Sequence, residues 1–548
     1  MTNKSSKLIL TIILAAFFFR GLFLVAIFPI FKGQDESRHY NTVQYLSTNK
    51  DQQCKVYKKE NKQNKQNIAT YRYSDEIKET ALISQTQQIR GNSYNKIKFN
   101  QEVNGFEEHH FKEIQHSKVQ HSCPPDVARN ALMSDDFSLY HKLLAKVESW
   151  LKAQDIFTRY YFLRIISVFF GLITLLLAYN IFRAVNFSDR QSLILTTIIS
   201  FQPKLSIYFT NINYDVLLIP LWTAFILIGV LILKRGWSFW RTATLFIVLW
   251  LAVLTKPSAL AMLGIVIYLL GYKVYQEIRK RNKNGQIKIR QILLVVGAIF
   301  LIGFLIYPLL KKVGIFNLTM DKYTQSLGEY IGKSFSKIYG SSRDYWGGLG
   351  WRADNLTIWY IRIIWVAEYI AWAGLSVWVW KMIFSERFEQ KISKLQWKFF
   401  RKLIIGHREK QEIKRGVMAT FVAGRMKQSR KYFMGLNKTM KTLNGQRIYF
   451  WFMLISVLAL QIGIRIADWK VFVETGSLAL GTPGRYWLPN VVPHFILLAL
   501  GLKVITGFFG LNKFAKRYFE LSLLLFLIIM ILYWSYEVFD IIIPRFYL

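Results

Sequence analysis

The spacing of apolar residues constrains this chain more than any other feature. They come in runs of about 20, the length with which an α-helix crosses the hydrocarbon core of a bilayer. The first run covers residues 8–31. Others follow at 160–183, 190–210, 214–234, 240–255, 257–273, 291–310, 357–383, 448–466, 486–504 and 519–537. They predict an all-α polytopic membrane protein with roughly eleven transmembrane helices. A cleaved signal peptide would have a shorter apolar stretch ending at small residues. The first run instead ends in FPIFKGQDE, so it is expected to persist as a first helix, with the short basic stretch before it in the cytoplasm.

A formal charge of +39 over 548 residues raises the question of a polyanionic partner. The cations, however, sit mainly in the loops between apolar runs, which is the distribution expected of cytoplasmic loops. Nucleic-acid binding is therefore not expected. With the N-terminus inside, RAVNFSDR, KRGWSFWR, YKVYQEIRKRNKNGQIKIR, KFAKR and the basic stretch 381–447 all fall inside. The loops NINYD, TKPS and DWKVFVETGSLALGTPG, poor in Lys and Arg, fall outside. The expected location is the cytoplasmic membrane, crossed many times.

Two hydrophilic segments divide the chain into 1–383, an insertion 384–447, and 448–548. The first region contains a large outer loop, 32–158. The ends of this loop, ESRHYNTVQYL and DFSLYHKLLAKVESWL, carry apolar residues at helical spacing and suit interfacial helices. The insertion interleaves basic and apolar residues (KLQWKFFRKLII), which suits anionic headgroups or a partner protein. Cys54 and Cys123 share the outer loop, and a disulfide and two free thiols are both compatible with that placement. No phosphate-binding glycine loop follows a strand pattern. His109, His110, His116 and His121 match no standard metal spacing.

The outer ends of the spans hold the residues that carry chemistry. Asp35 and Glu36 directly follow the first run, with His39 and Tyr40 just beyond. A carboxylate at a lipid boundary either caps a helix or, partly desolvated, serves as a base. NINYD places Asn213 and Asp215 where a helix re-enters the bilayer, and TKPS places Lys256 in a short turn. SSRDYWGGLGWR contributes Trp351 and Arg352, and GTPGRYWLPN contributes Arg485 and Tyr486 at the mouth of a late helix. A sugar carried on a lipid phosphate would need this set: a base for the acceptor hydroxyl and cations for the departing phosphate.

Together these segments resemble a bacterial family of polytopic membrane proteins of unknown function allied to the GT-C glycosyltransferases. That family's PPDEPxH-like segment is represented by GQDESRH, its N-N-D segment by NINYD and its L-T-K segment by LTKPSAL. YWGGLGW stands for F-W-G-x-F-G-W and PGRYWLP for Q-G-R-Y-L-L-P, in the same order from about residue 8 to 505. The resemblance implies a GT-C-like fold and an inverting transfer from a polyprenyl-phosphate-linked sugar on the extracytoplasmic face. The acceptor would be an envelope glycan, lipid or protein. By likeness to protein O-mannosyltransferases and lipid A aminoarabinose transferases, the base maps to Asp35, with Glu36 beside it. Arg485, Lys256 and Arg352 are the candidates for the donor phosphate. His39, Tyr40, Asn213, Asp215, Trp351 and Tyr486 are the candidate substrate contacts. No cofactor is required, and participation of a divalent metal stays open. Where the family has prolines around Asp-Glu, this chain has Gln34 and Ser37.

Two other functions fit the same topology, a non-enzymatic transporter or flippase of lipid-linked saccharides and an assembly subunit docking partners through 384–447. A transporter is expected to carry ionisable residues in mid-helix. The apolar runs hold few, and the acidic pair sits at an interface, so the enzyme is preferred.

Overall fold

A computed structural model describes residues 3–48, 76–77, 80, 138–282, 326–348, 358–405, 445–475, 478, 483–509 and 515–546. Outside the described residues lie the expected span 291–310, Cys54, Cys123, the four loop histidines, Trp351, Arg352 and most of the basic insertion.

Helix α1 (Asn3–Ile27) is apolar on all sides and stops before Pro29. The tight turn after it takes Phe31 and Asp35 to positive φ, 59° and 57°. Helix α2 (Glu36–Thr48) follows, and α3 (Leu139–Trp150) starts where the Ser138 side chain accepts from the His141 amide. Asp155 caps α4 (Ile156–Ala184) in the same way, and a Ser188/Gln191 capping box opens α5 (Asp189–Ser200). After α6 (Pro203–Tyr208), α7 (Asp215–Arg235) runs until Gly236, at φ 80°, ends it.

Ser238 caps α8 (Phe239–Thr255), and a 3-10 turn (Pro257–Ala261) leads into α9 (Met262–Asn282). Helices α10 (Leu327–Gly347), α11 (Ile358–Ile405) and α12 (Arg447–Thr475) come next. A 3-10 segment, Gly484–Asn490, leads into α13 (Val491–Phe509). Helix α14 (Ala515–Tyr536) passes through a π-helical stretch, Glu537–Ile542, into the short α15 (Ile543–Phe546).

The described residues are mostly helical, and eight helices among them are long and apolar enough to cross a membrane. Apolar Phe239–Thr255 is shorter. One expected span is corrected. Residues 190–210 form two pieces, because Pro203 lacks an amide proton and forces Gln202 into an extended conformation. The freed Gln202 side chain caps α6 and donates 2.6 Å to the Tyr345 carbonyl. The expected interfacial segments after Asp35 and before Thr158 are helical, as α2 and α3. They pack against each other and bury His39, Tyr40, Tyr140 and His141.

The bundle is apolar outside as well as inside. Phe19, Phe169, Trp250, Tyr369, Ile462 and Leu525 are all exposed, as a lipid-facing surface requires. At its centre Trp222 donates 2.9 Å to Asn490, which also accepts from Ser456 at 2.6 Å. One end is tied by Ser6 to Asp189, Lys234 to the Ala184 carbonyl, and Lys503 to Gln446. The end of α1 and the starts of α4, α7, the Pro257 turn and the Gly484 segment meet at the other end.

Candidate functional site

Consecutive residues in the turn after α1 receive different partners. Glu36 is fully buried against Arg164 of α4, which donates from Nε at 2.9 Å and from Nη2 at 2.8 Å. The Gly33 and Ile212 amides complete its shell at 3.0 and 2.9 Å. Arg164 also donates to the carbonyls of Phe28 and Pro29, just past the end of α1, at 2.5 and 2.9 Å, and lies over the Tyr160 ring. This forked pair staples α1, α4 and the Ile212 loop together. The structure therefore places Glu36, expected beside the base, as an anchor with no exposed surface.

Asp35 faces a different way. Its Oδ2 accepts from both Nη1 and Nη2 of Arg485 at 3.1 Å, and the two side chains keep 16% and 13% of their surface exposed. At φ 57° Asp35 does not have the extended backbone of an N-cap. Arg485 Nη1 also approaches Gln34 and the Tyr208 hydroxyl, both at 3.4 Å, while its Nε is buried without a hydrogen-bond partner among the described residues.

A second ion pair lies alongside. Lys256 Nζ is 2.7 Å from Asp215 Oδ1 and is sandwiched between the rings of Tyr214 and Tyr486, at 4.6 and 4.5 Å. Tyr486 joins the two pairs, since Arg485 donates to its hydroxyl at 3.4 Å. Asn213 orders the start of α7 by accepting from the Asp215 amide at 2.9 Å, and its own side-chain amide donates to the Gln34 carbonyl. Four sequence-distant segments thus bring Asp35, Arg485, Lys256, Asp215, Asn213 and Tyr486 to one place.

His39 stands at its edge, stacked on His141 with Nδ1 2.9 Å from His141 Nε2, and edge-on to Tyr214. Burial pushes His141 down to about 3. Burial, then His141, Arg485, Lys256 and Arg38, keep His39 well below the usual imidazole range. Both rings are therefore neutral at physiological pH. Tyr40 donates 3.0 Å to Glu148, which pairs with Arg159, which in turn pairs with Glu76. Tyr40 thus belongs to a buried network that ties Glu76 to α2, α3 and α4.

Sequence reasoning missed several partners. Arg164 is a lone cation inside an apolar span, a signal in its own right. Lys204, buried, pairs with Asp344 at 2.9 Å and approaches the Tyr208 ring. Tyr345 lies 3.1 Å from His494 Nδ1, and His494 Nε2 is 3.0 Å from Glu368. Among the described residues no group of three or more His, Cys, Asp or Glu is arranged to hold a metal.

Fold and site define a polytopic helical membrane protein with a polar, ion-paired cluster at one end of its bundle. Residues 17–388 match the family described as "Predicted membrane protein (DUF2142)", and the chain belongs to it. The match covers Asp35, Asp215 and Lys256, while Arg485 lies beyond it. No curated protein and no solved structure matches.

Proposed function

We propose that this protein is a GT-C-type membrane glycosyltransferase. It would transfer a sugar from a polyprenyl-phosphate donor to an envelope glycan, lipid or protein acceptor on the extracytoplasmic face. The observation that supports this best is the partly exposed Asp35 carboxylate in the fork of Arg485, next to Lys256 and two phenols. The acceptor hydroxyl attacks the anomeric carbon while its proton passes to Asp35. The bond to the phosphate oxygen breaks with inversion, and the polyprenyl phosphate leaves against Arg485 and Lys256. Asp215 and Asn213 hold Lys256 and the α7 terminus in place. Loops 183–190 and 234–241 meet at the end opposite Asp35, and their basic residues support an extracytoplasmic site.

Export of a lipid-linked saccharide is the second reading, and one observation favours it. Arg20, Glu368, His494 and Glu537 lie within the apolar helices, more mid-span ionisable groups than the transfer reaction uses. One experiment separates the two. Purified protein is given polyprenyl-phosphate sugars with envelope acceptors in detergent, and a parallel sample in sealed vesicles is assayed for transbilayer movement of the same lipids. Glycosidic product in detergent supports transfer. Movement without product supports export.

A further inference from the structure

Neighbouring carboxylates offer a comparison within one molecule. Glu36 and Arg164 meet through two oxygens and two nitrogens at 2.8 and 2.9 Å, without exposure, as a permanent staple does. Asp35 and Arg485 meet differently. Two guanidinium nitrogens converge on a single oxygen at 3.1 Å, three further contacts stretch to 3.4 Å, and Nε has no hydrogen-bond partner among the described residues. A guanidinium fork matches two oxygens of a phosphate better than one carboxylate oxygen.

Charge gives the same direction. Asp35, Asp215, Arg485 and Lys256 sum to zero, and each cation is already paired. Among the described residues, an anionic ligand that takes Arg485 or Lys256 must compete with the carboxylate already paired to it. The Lys256–Asp215 pair, at 2.7 Å between two aromatic rings, is the tighter of the two. Arg485 is the exchangeable cation.

We infer that the lipid phosphate of the donor displaces Asp35 from Arg485, so that donor binding itself releases the base for the acceptor hydroxyl. This rests on the glycosyl-transfer reading. It gives that reaction a fixed order, donor before acceptor, and keeps Asp35 neutralised while the donor site is empty. No covalent step is involved, since one ion pair is traded for another.

The test uses full-length protein in detergent titrated with farnesyl monophosphate, a lipid phosphate without sugar, with binding followed by tryptophan fluorescence. Asp35→Asn is the decisive variant, because Asn adopts positive φ readily and the turn is preserved. Exchange predicts that Asp35→Asn binds about tenfold more tightly than wild type, its competing charge being gone, and that Arg485→Gln loses binding. Unchanged or weaker binding by Asp35→Asn, with wild type binding well, overturns the exchange and leaves the transfer reading standing. Absence of binding by wild type and both variants overturns the transfer reading together with the exchange.

Discussion

Replacing Glu36 by Gln tests the separation of roles most sharply, since the change preserves shape and removes only charge. Four donors converge on the carboxylate: Arg164 Nε and the Ile212 amide on Oε1, Arg164 Nη2 and the Gly33 amide on Oε2. A Gln side chain replaces one of these oxygens with an NH2 group. Either way round, two donors then face a donor, and the Arg164 charge is left buried without a counter-ion. Removing one partner of a buried pair costs about 3–5 kcal/mol, a large share of a typical folding free energy. The assay is an SDS titration of protein in mixed micelles, with loss of helix as the readout. Adding Arg164→Met to Glu36→Gln removes the stranded charge and should recover part of the loss. A Glu36→Gln protein within about 1 kcal/mol of wild type would refute the assignment of Glu36 as an anchor.

Three further outcomes follow from the packing and the titrating groups. Gly484→Ala would put a Cβ onto the Tyr345 amide and the Ser341 carbonyl, displacing the segment that carries Arg485. Lipid-phosphate binding should fall at least about tenfold while the protein still purifies as a monodisperse species. Gly501→Val would drive its side chain into the Ala371 backbone where α11 crosses α13, so the thermal midpoint in detergent should drop by several degrees. His39 and His141 are held neutral when folded and titrate near 6.5 when unfolded, so the open state binds more protons as pH falls below about 6.5. Each costs the α2–α3 unit about 1.4 kcal/mol per pH unit until its folded value is reached, about 3 for His141. Burial raises Glu148, which offsets part of this loss, so the net trend is a loss of stability as pH falls below about 6.5. Hydrogen exchange in α2 and α3, corrected for intrinsic rates, should accelerate over that window, and flat protection would contradict it.

Much of the membrane fold was legible because a bilayer-crossing helix announces itself locally, in about 20 apolar residues. Residues 190–210 misled for the same reason. Hydropathy averages over Gln202–Pro203, where the backbone breaks and sends a side chain to Tyr345. The acidic pair was legible as a feature but not as a division of labour. Nothing within GQDESRH distinguishes a carboxylate bound to a guanidinium 128 residues away from one bound to a guanidinium 450 residues away. Arg164 was there to be read, as a cation in an otherwise apolar run. Lys204 carried the same sign, as a cation within the run 190–210, whereas Asp344 stands in a segment already polar for other reasons.

The proposed sugar transfer depends on Asp35 as its base, with Glu36 buried beside it. Its most direct test is the turnover of a polyprenyl-phosphate sugar by purified Asp35→Asn protein, matched to wild type for helix content and thermal midpoint. Turnover should fall by about 100-fold or more, with lipid-phosphate binding retained. Turnover equal to wild type in a protein that binds the same donor would contradict the central claim.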